Sequence, residues 1–345
     1  MAKASSNAAA LPAQGTHVHA LMEHGGRIDS AQALYPHAPR PWLDLSTGIN
    51  PCAWEPPADL AIDLRSLPSP AALATLEAVA ARHFGTDPAR VVALPGTEIG
   101  LRLLGELGLP APARHVGPSY ATHAAVFPAR ISIDSLTDEA THGGTILLAN
   151  PNNPDGRLVS PDALGPVIDR LRENAGCLVV DEAFVDTLPD AGLASHLSAE
   201  DPVILFRSFG KFFGLAGVRL GFMIAPPGIV ARVRDRLGSW PISATALAIG
   251  TAAYADRAWI ETTRTQLVTR AAALDAVLLR HGLAASGACP LFRLIATDDA
   301  KSLFERLNMA GILTRPFTYD PRWLRLGVPA DAAALARLDT ALAHG

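Results

Sequence analysis

Residues 203–221 read Val203-Ile204-Leu205-Phe206-Arg207-Ser208-Phe209-Gly210-Lys211-Phe212-Phe213-Gly214-Leu215-Ala216-Gly217-Val218-Arg219-Leu220-Gly221. Four apolar residues in a row predict a buried strand. The Gly-rich run after it then falls where the strand of an open sheet ends, the place where such sheets bind ligands. The glycines predict a close approach of backbone to something bulky, and the long polar side chains among them are Lys211 and Arg219. The chain holds 29 basic residues, yet its only lysines are Lys3, Lys211 and Lys301. Arginine supplies positive charge almost everywhere else, so a lysine kept in an apolar setting points to chemistry that needs a primary amine. Partial desolvation lowers the pKa of such an amine and makes it a nucleophile able to form a Schiff base. Read alone, the segment also fits a Gly-rich phosphate loop with an ordinary lysine.

Four other stretches lie at predicted strand ends. Val179-Val180-Asp181-Glu182-Ala183-Phe184 sends Asp181 into the same crevice, where a carboxylate can hold the ring nitrogen of pyridoxal phosphate (PLP) protonated; by itself it could equally cap a turn or bind a metal. Ala149-Asn150-Pro151-Asn152-Asn153-Pro154-Asp155-Gly156 is a rigid turn, which either places the Asn153 side chain on the PLP phenolic oxygen or is merely a turn. Pro95-Gly96-Thr97-Glu98 is a strand–turn–helix junction whose free amides, with the Thr97 hydroxyl, Ser208 and Arg219, can hold a phosphate; an ordinary capping turn reads the same. Tyr120 either stacks on an aromatic ring or fills core. No G-x-x-x-x-G-K-[ST] loop accompanies Asp181-Glu182, which argues against a nucleotide hydrolase.

From about residue 75 short apolar runs alternate with helical spacing. Runs at Val91–Leu94, 146–149, 178–180, Val203–Phe206 and 220–225 are separated by helices at 72–84, 98–107, 161–174 and 229–238. This pattern predicts an α/β fold with a mainly parallel sheet covered on both faces. After Pro241 one or two helices over 244–281, strands near 292–295 and 323–328, and helices at 300–310 and 331–343 predict a smaller α+β domain. The expected division is 1–45 as an N-terminal arm and part of the small domain, 46–238 as the large domain and 239–345 as the small C-terminal domain. The chain of 345 residues is 49% apolar and 18% charged, with a formal net charge of −4. That balance speaks against nucleic acid. No apolar stretch is long enough for a membrane helix and residues 1–20 lack the apolar core of a signal peptide. Cys52, Cys177 and Cys289 are too scattered for a disulfide framework or a metal site. A cytoplasmic chain whose ligand is a small molecule, with no metal, is expected.

Together the order and separation of these stretches resemble the fold-type I PLP enzymes of the class I/II aminotransferase superfamily over nearly the whole chain. The run Ser208–Gly221 and the turn Asn150–Gly156 match the histidinol-phosphate aminotransferase branch. Glu23-His24-Gly25-Gly26-Arg27-Ile28, followed by Leu43-Asp44-Leu45-Ser46-Thr47-Gly48-Ile49-Asn50-Pro51, is similar to the opening of threonine-phosphate decarboxylases of cobalamin synthesis, and Phe184 fits that group better than the tyrosine usual in transaminases.

The resemblance implies a large domain built on a seven-stranded type of sheet, and a homodimer. It implies Lys211 as the residue that carries PLP, Asp181 on the pyridine nitrogen, Asn153 on the phenolic oxygen and Tyr120 on the ring. Gly96, Thr97, Glu98, Ser208 and Arg219 would hold the cofactor phosphate. Arg325 would grip the substrate carboxylate, with Arg315 and His24 near the substrate phosphate and Gly25, Asn50 and Asn153 also at the substrate. The implied reaction is decarboxylation of L-threonine O-3-phosphate to (R)-1-amino-2-propanol O-2-phosphate, with transamination of histidinol phosphate or a related amino acid as the alternative. Two departures stand out. Leu67-Pro68 replaces the Tyr-Pro whose tyrosine reaches the cofactor phosphate of the partner subunit, and Asp155 replaces the threonine of N-P-T-G.

Overall fold

The computed structural model describes Leu21, Met22 and residues 24–343. The N-terminal tail with Lys3, and Glu23 of the opening motif, lie outside the described residues. The strands are β1 (Leu43–Asp44), β2 (Val91–Leu94), β3 (Ala113–Val116), β4 (Ala129–Ile131), β5 (Thr145–Ala149), β6 (Cys177–Asp181), β7 (Val203–Ser208), β8 (Gly221–Ile224), β9 (Ala285–Ser286), β10 (Phe292–Ala296), β11 (Ile312–Leu313), β12 (Arg315–Pro316) and β13 (Trp323–Gly327). Seven of them form one sheet in the order β2-β8-β7-β6-β5-β3-β4. Only β8 runs against its neighbours, so β2, β3, β5, β6 and β7 all end at the same edge.

The central strands are buried along their whole length, which is why they read as unbroken apolar runs rather than alternating ones. Successive side chains still go to opposite faces: Leu178 and Val180 enter one apolar cluster, Cys177 and Val179 the other. The helices that cover the sheet start where their caps dictate. The helix Pro70–Phe84 begins with Ser69 accepting from the Ala72 amide and Pro70 at its first position, and ends at Gly85 with φ +72°. The long segment expected over 244–281 is two helices, Ala244–Ala255 and Arg257–Arg280, because Asp256 caps the second by accepting from the Trp259 amide.

A second sheet, β12-β13-β10-β9, is antiparallel throughout. The chain's two ends meet beside it: β1 pairs in parallel with β11, and the Gly327 amide donates to the Leu45 carbonyl at 2.7 Å. These contacts bring the opening motif and the late arginines to one side of the large sheet.

Candidate active site

Strand ends and the two late arginines enclose a cavity of about 420 Å³. Lys211 lies one turn past the end of β7, in the short helix Phe209–Phe212. Its environment pushes the amine down to about 8, chiefly by burial, with the Arg325 guanidinium adding to the effect and Asp181 opposing it. The amine lies 5.8 Å from the centre of the Phe184 ring. That ring packs edge-on against Phe292 over Gly48, where a Cβ would come within 2.9 Å of both rings.

The glycines of the lysine segment serve a different purpose from the one their spacing suggested. A Cβ on Gly210 would lie 2.6 Å from the Ala216 Cα, and one on Gly214 2.7 Å from the Ala53 Cα, while Gly217 faces open space. The segment is compact against its own chain. Asn50 is part of that packing: its amide donates to the Lys211 carbonyl at 2.9 Å and its side chain to the Phe212 carbonyl at 2.9 Å. Asn50 therefore lies behind the lysine turn rather than among the residues lining the cavity.

At the end of β6, Asp181 is almost fully buried and accepts from the Ala183 amide at 3.1 Å. Its other oxygen lies 3.1 Å from Nε2 of His123, a fully buried residue whose Nδ1 is 3.1 Å from the Ser119 hydroxyl. With Nε2 donating to the carboxylate and Nδ1 accepting from Ser119, both contacts are satisfied and Asp181 is fixed where it lines the cavity. His123 escaped sequence reading. The Nδ1 contact joins Ser119, just before the cap residue Tyr120, to His123 in the first turn of the helix Ala121–Val126.

The anion cradle is built by close approach. Gly96 has φ +91°, and a Cβ there would lie 2.6 Å from the Arg219 guanidinium. Gly221, paired with Ser208, admits the Thr97 amide to 2.8 Å of its own Cβ position. Arg219 is exposed and holds φ 56°, ψ 54°, a left-handed conformation unfavourable for a side-chain-bearing residue by roughly 1–3 kcal/mol. The Glu98 carboxylate turns away from this cradle. It accepts from the Tyr120 hydroxyl at 3.2 Å and from the Thr122 hydroxyl at 2.9 Å, so Glu98 fixes Tyr120 and only its main chain is left for an anion.

Across the cavity, Arg325 is 94% buried at the register position directly opposite Arg315. It donates to the Asn153 carbonyl oxygen and, at 2.9 Å, to the Ser46 carbonyl, which leaves the Asn153 amide nitrogen for an acceptor. Burial pushes Arg325 down to about 10, and Arg315 adds to that. Arg315 donates to the Leu21 carbonyl at 3.2 Å. The Ser46 turn also carries the opening motif: its hydroxyl donates to Asp44 at 2.6 Å and accepts from the Gly26 amide at 2.7 Å. A Cβ on Gly25 would meet the Ser46 carbonyl oxygen at 2.3 Å, so glycine alone lets His24 reach the cavity, which it lines.

This donor set fits PLP. A cationic cradle admits a phosphate, Asp181 suits a protonated ring nitrogen, the Asn153 amide suits a phenolate oxygen, Tyr120 offers an aromatic face and Lys211 a desolvated amine. Among the described residues no group of three or more His, Cys, Asp or Glu is arranged to hold a metal ion, and no helix is long and apolar enough to cross a membrane.

The comparisons with known proteins agree with this geometry. A threonine-phosphate decarboxylase from Sinorhizobium sp is 41% identical over 330 residues, covering 93% of this chain and 97% of that protein. One from Pseudomonas aeruginosa is 35% identical over 331 residues, with the same coverage of 93% and 97%. The crystal structure of histidinol-phosphate aminotransferase from Sinorhizobium meliloti in complex with pyridoxal-5'-phosphate superposes with a TM-score of 0.81 at 22% identity, covering 97% of this chain and 98% of that one. Residues 130–342 match the family Aminotransferase class I and II, and with the full-length relatives this establishes that the chain belongs to that family.

Proposed function

We propose that this chain is a PLP-dependent lyase that decarboxylates L-threonine O-3-phosphate to (R)-1-amino-2-propanol O-2-phosphate in cobalamin synthesis. The observation that carries the reading is the pair Arg315 and Arg325, opposite one another on β12 and β13 and lining the same cavity as Lys211. Like charges at directly opposed positions repel, so such a pair suits a ligand with two anionic groups. The two relatives that match over 93% of the chain are named for a substrate of that kind.

Bound PLP supplies an electron sink for the pair released when a bond to the substrate's Cα breaks. The protein would select which bond to Cα breaks by orienting the substrate. Arg325, fixed by Asn153 and Ser46, offers its fork to the carboxylate. Arg315 and His24 hold the phosphate, and this remote anchor fixes the rotation about Cα. The carboxylate leaves as carbon dioxide, and a proton joins Cα in its place. The Lys211 amine, with its lowered pKa, is the group positioned to deliver it. His123 fixes the Asp181 carboxylate, which would hold the ring nitrogen.

A homodimer accompanies this reading. Leu64 and Leu67 are 76% and 66% exposed, and Trp240, 55% exposed, borders an apolar hollow with Pro68, Leu73, Leu237 and Ile242; a second copy of the chain is the occupant we assign to this face. The free thiols of Cys52, Cys177 and Cys289 support a reducing, cytoplasmic setting. The test is selectivity. Carbon dioxide release from carboxyl-labelled O-phospho-L-threonine should exceed that from L-threonine by about a hundredfold or more in kcat/KM. Equal use of the two would remove the phosphate from the account.

A further inference from the structure

Between β12 and β13 the chain turns through residues 317–322, and Phe317 and Tyr319 of this hairpin line the cavity. Tyr319 stands at the tip of the hairpin. The residue lines the cavity together with Lys211, Arg315 and Arg325 and is 52% exposed. Its ring is seated on two others: the Phe317 centroid is 5.4 Å away and the Trp323 centroid 6.0 Å away, the latter nearly perpendicular. Phe317 in turn lies 5.2 Å below the Arg315 guanidinium. The ring's position is thus set by the strands that carry the two arginines.

The hydroxyl is another matter. Tyr120, which lines the same cavity, has its hydroxyl held by Glu98. Among the described residues no group accepts the hydroxyl of Tyr319. Packing on Phe317 and Trp323 would be served equally by phenylalanine, so the hydroxyl, half-exposed at the cavity, is free to meet a ligand. Arg315 and Arg325 line the same cavity as this hydroxyl. Two guanidinium groups lining the same cavity as one neutral O–H donor describe a place for an anion with several acceptor oxygens.

We propose that Tyr319 is a specificity residue, its hydroxyl donating to the phosphate of the substrate beside Arg315 while its ring closes the mouth of the cavity. The inference rests on the substrate reading above and adds the residue that tells a phosphate from a smaller or neutral group. A hydroxyl donor discriminates because an unphosphorylated analogue leaves it unpaired.

The test compares wild-type holoenzyme with Tyr319→Phe, a change that keeps the ring and its packing. For O-phospho-L-threonine the KM should rise about tenfold, the cost of one hydrogen bond to a charged group, with kcat within about twofold. The dissociation constant of inorganic phosphate, measured by calorimetry on the holoenzyme, should rise by a similar factor. Inhibition by L-threonine should stay unchanged, a split that general loosening of the hairpin would not produce. Unchanged KM and phosphate affinity in the variant, or an equal weakening of L-threonine, overturns the proposal while leaving the substrate reading intact. A wild-type enzyme that releases no carbon dioxide from O-phospho-L-threonine overturns both.

Discussion

Replacing Lys211 by methionine should stabilise the cofactor-free protein at neutral pH. Methionine fills nearly the same volume but has no charge to desolvate. In the fold the amine is pushed from 10.5 down to about 8, an interval that corresponds to ~3 kcal/mol. The amine borders the cavity, and water reaching it discounts the figure to ~1–2 kcal/mol. The sign follows from proton counting. Between pH 8 and 10.5 the unfolded chain keeps a proton on the lysine that the folded chain has shed, so the stability of the wild type rises with pH across this window. Below pH 8 the full penalty is present. Urea unfolding of both cofactor-free proteins should therefore give a higher midpoint for Lys211→Met at pH 7, with the gap closing as pH approaches 10. A variant equal to or less stable than wild type at pH 7, or a gap independent of pH, would refute the claim that burial primes this amine.

Further substitutions probe the rest of the site. Asp181→Asn should keep the fold and bound PLP but lose at least about a hundredfold in turnover, because no negative charge remains beside the ring nitrogen; wild-type turnover would reassign Asp181. Arg315→Ala should lower kcat/KM for O-phospho-L-threonine by about a hundredfold, ~3 kcal/mol, without altering the absorbance of bound PLP, and Arg315→Lys should recover only part because an ammonium lacks the planar fork. Gly25→Ala forces a Cβ to within 2.3 Å of the Ser46 carbonyl oxygen, so the His24 arm must shift. Its kcat/KM should fall by about tenfold or more with the thermal midpoint little changed, and a kinetically silent variant would remove His24 from the site.

Much of the fold is legible in the sequence because the central strands are buried on both faces. Val91–Leu94 is predicted and found with the same bounds, and the runs at β5, β6, β7 and β10 lie within a residue or two of theirs. Strands β3 and β4 escaped because they carry Arg114, His115 and Arg130. The fold satisfies the two buried ones locally, Arg114 through Glu139 at 3.0 Å and His115 through the Phe127 carbonyl at 2.7 Å, and a hydropathy pattern cannot register such partners. The same limit hid His123, whose partner Asp181 is 58 residues away in sequence. The glycines of the lysine segment were legible as close approaches but not as to what approaches them, since Ala53 and Asn50 come from a distant stretch. The substrate role that the resemblance implies for Asn50 meets a residue whose hydrogen bonds go to the backbone of the lysine turn.

The central claim is that the bond between Cα and the carboxylate is the one that breaks. Its most direct measurement is mass spectrometry of the products formed from O-phospho-L-threonine by the holoenzyme in deuterated water. The account predicts one carbon dioxide per substrate and a phosphorylated amino alcohol carrying one deuterium on the carbon that held the carboxylate, with the amine retained. A phosphorylated 2-oxo acid that keeps the carboxylate and has lost the amine would contradict it.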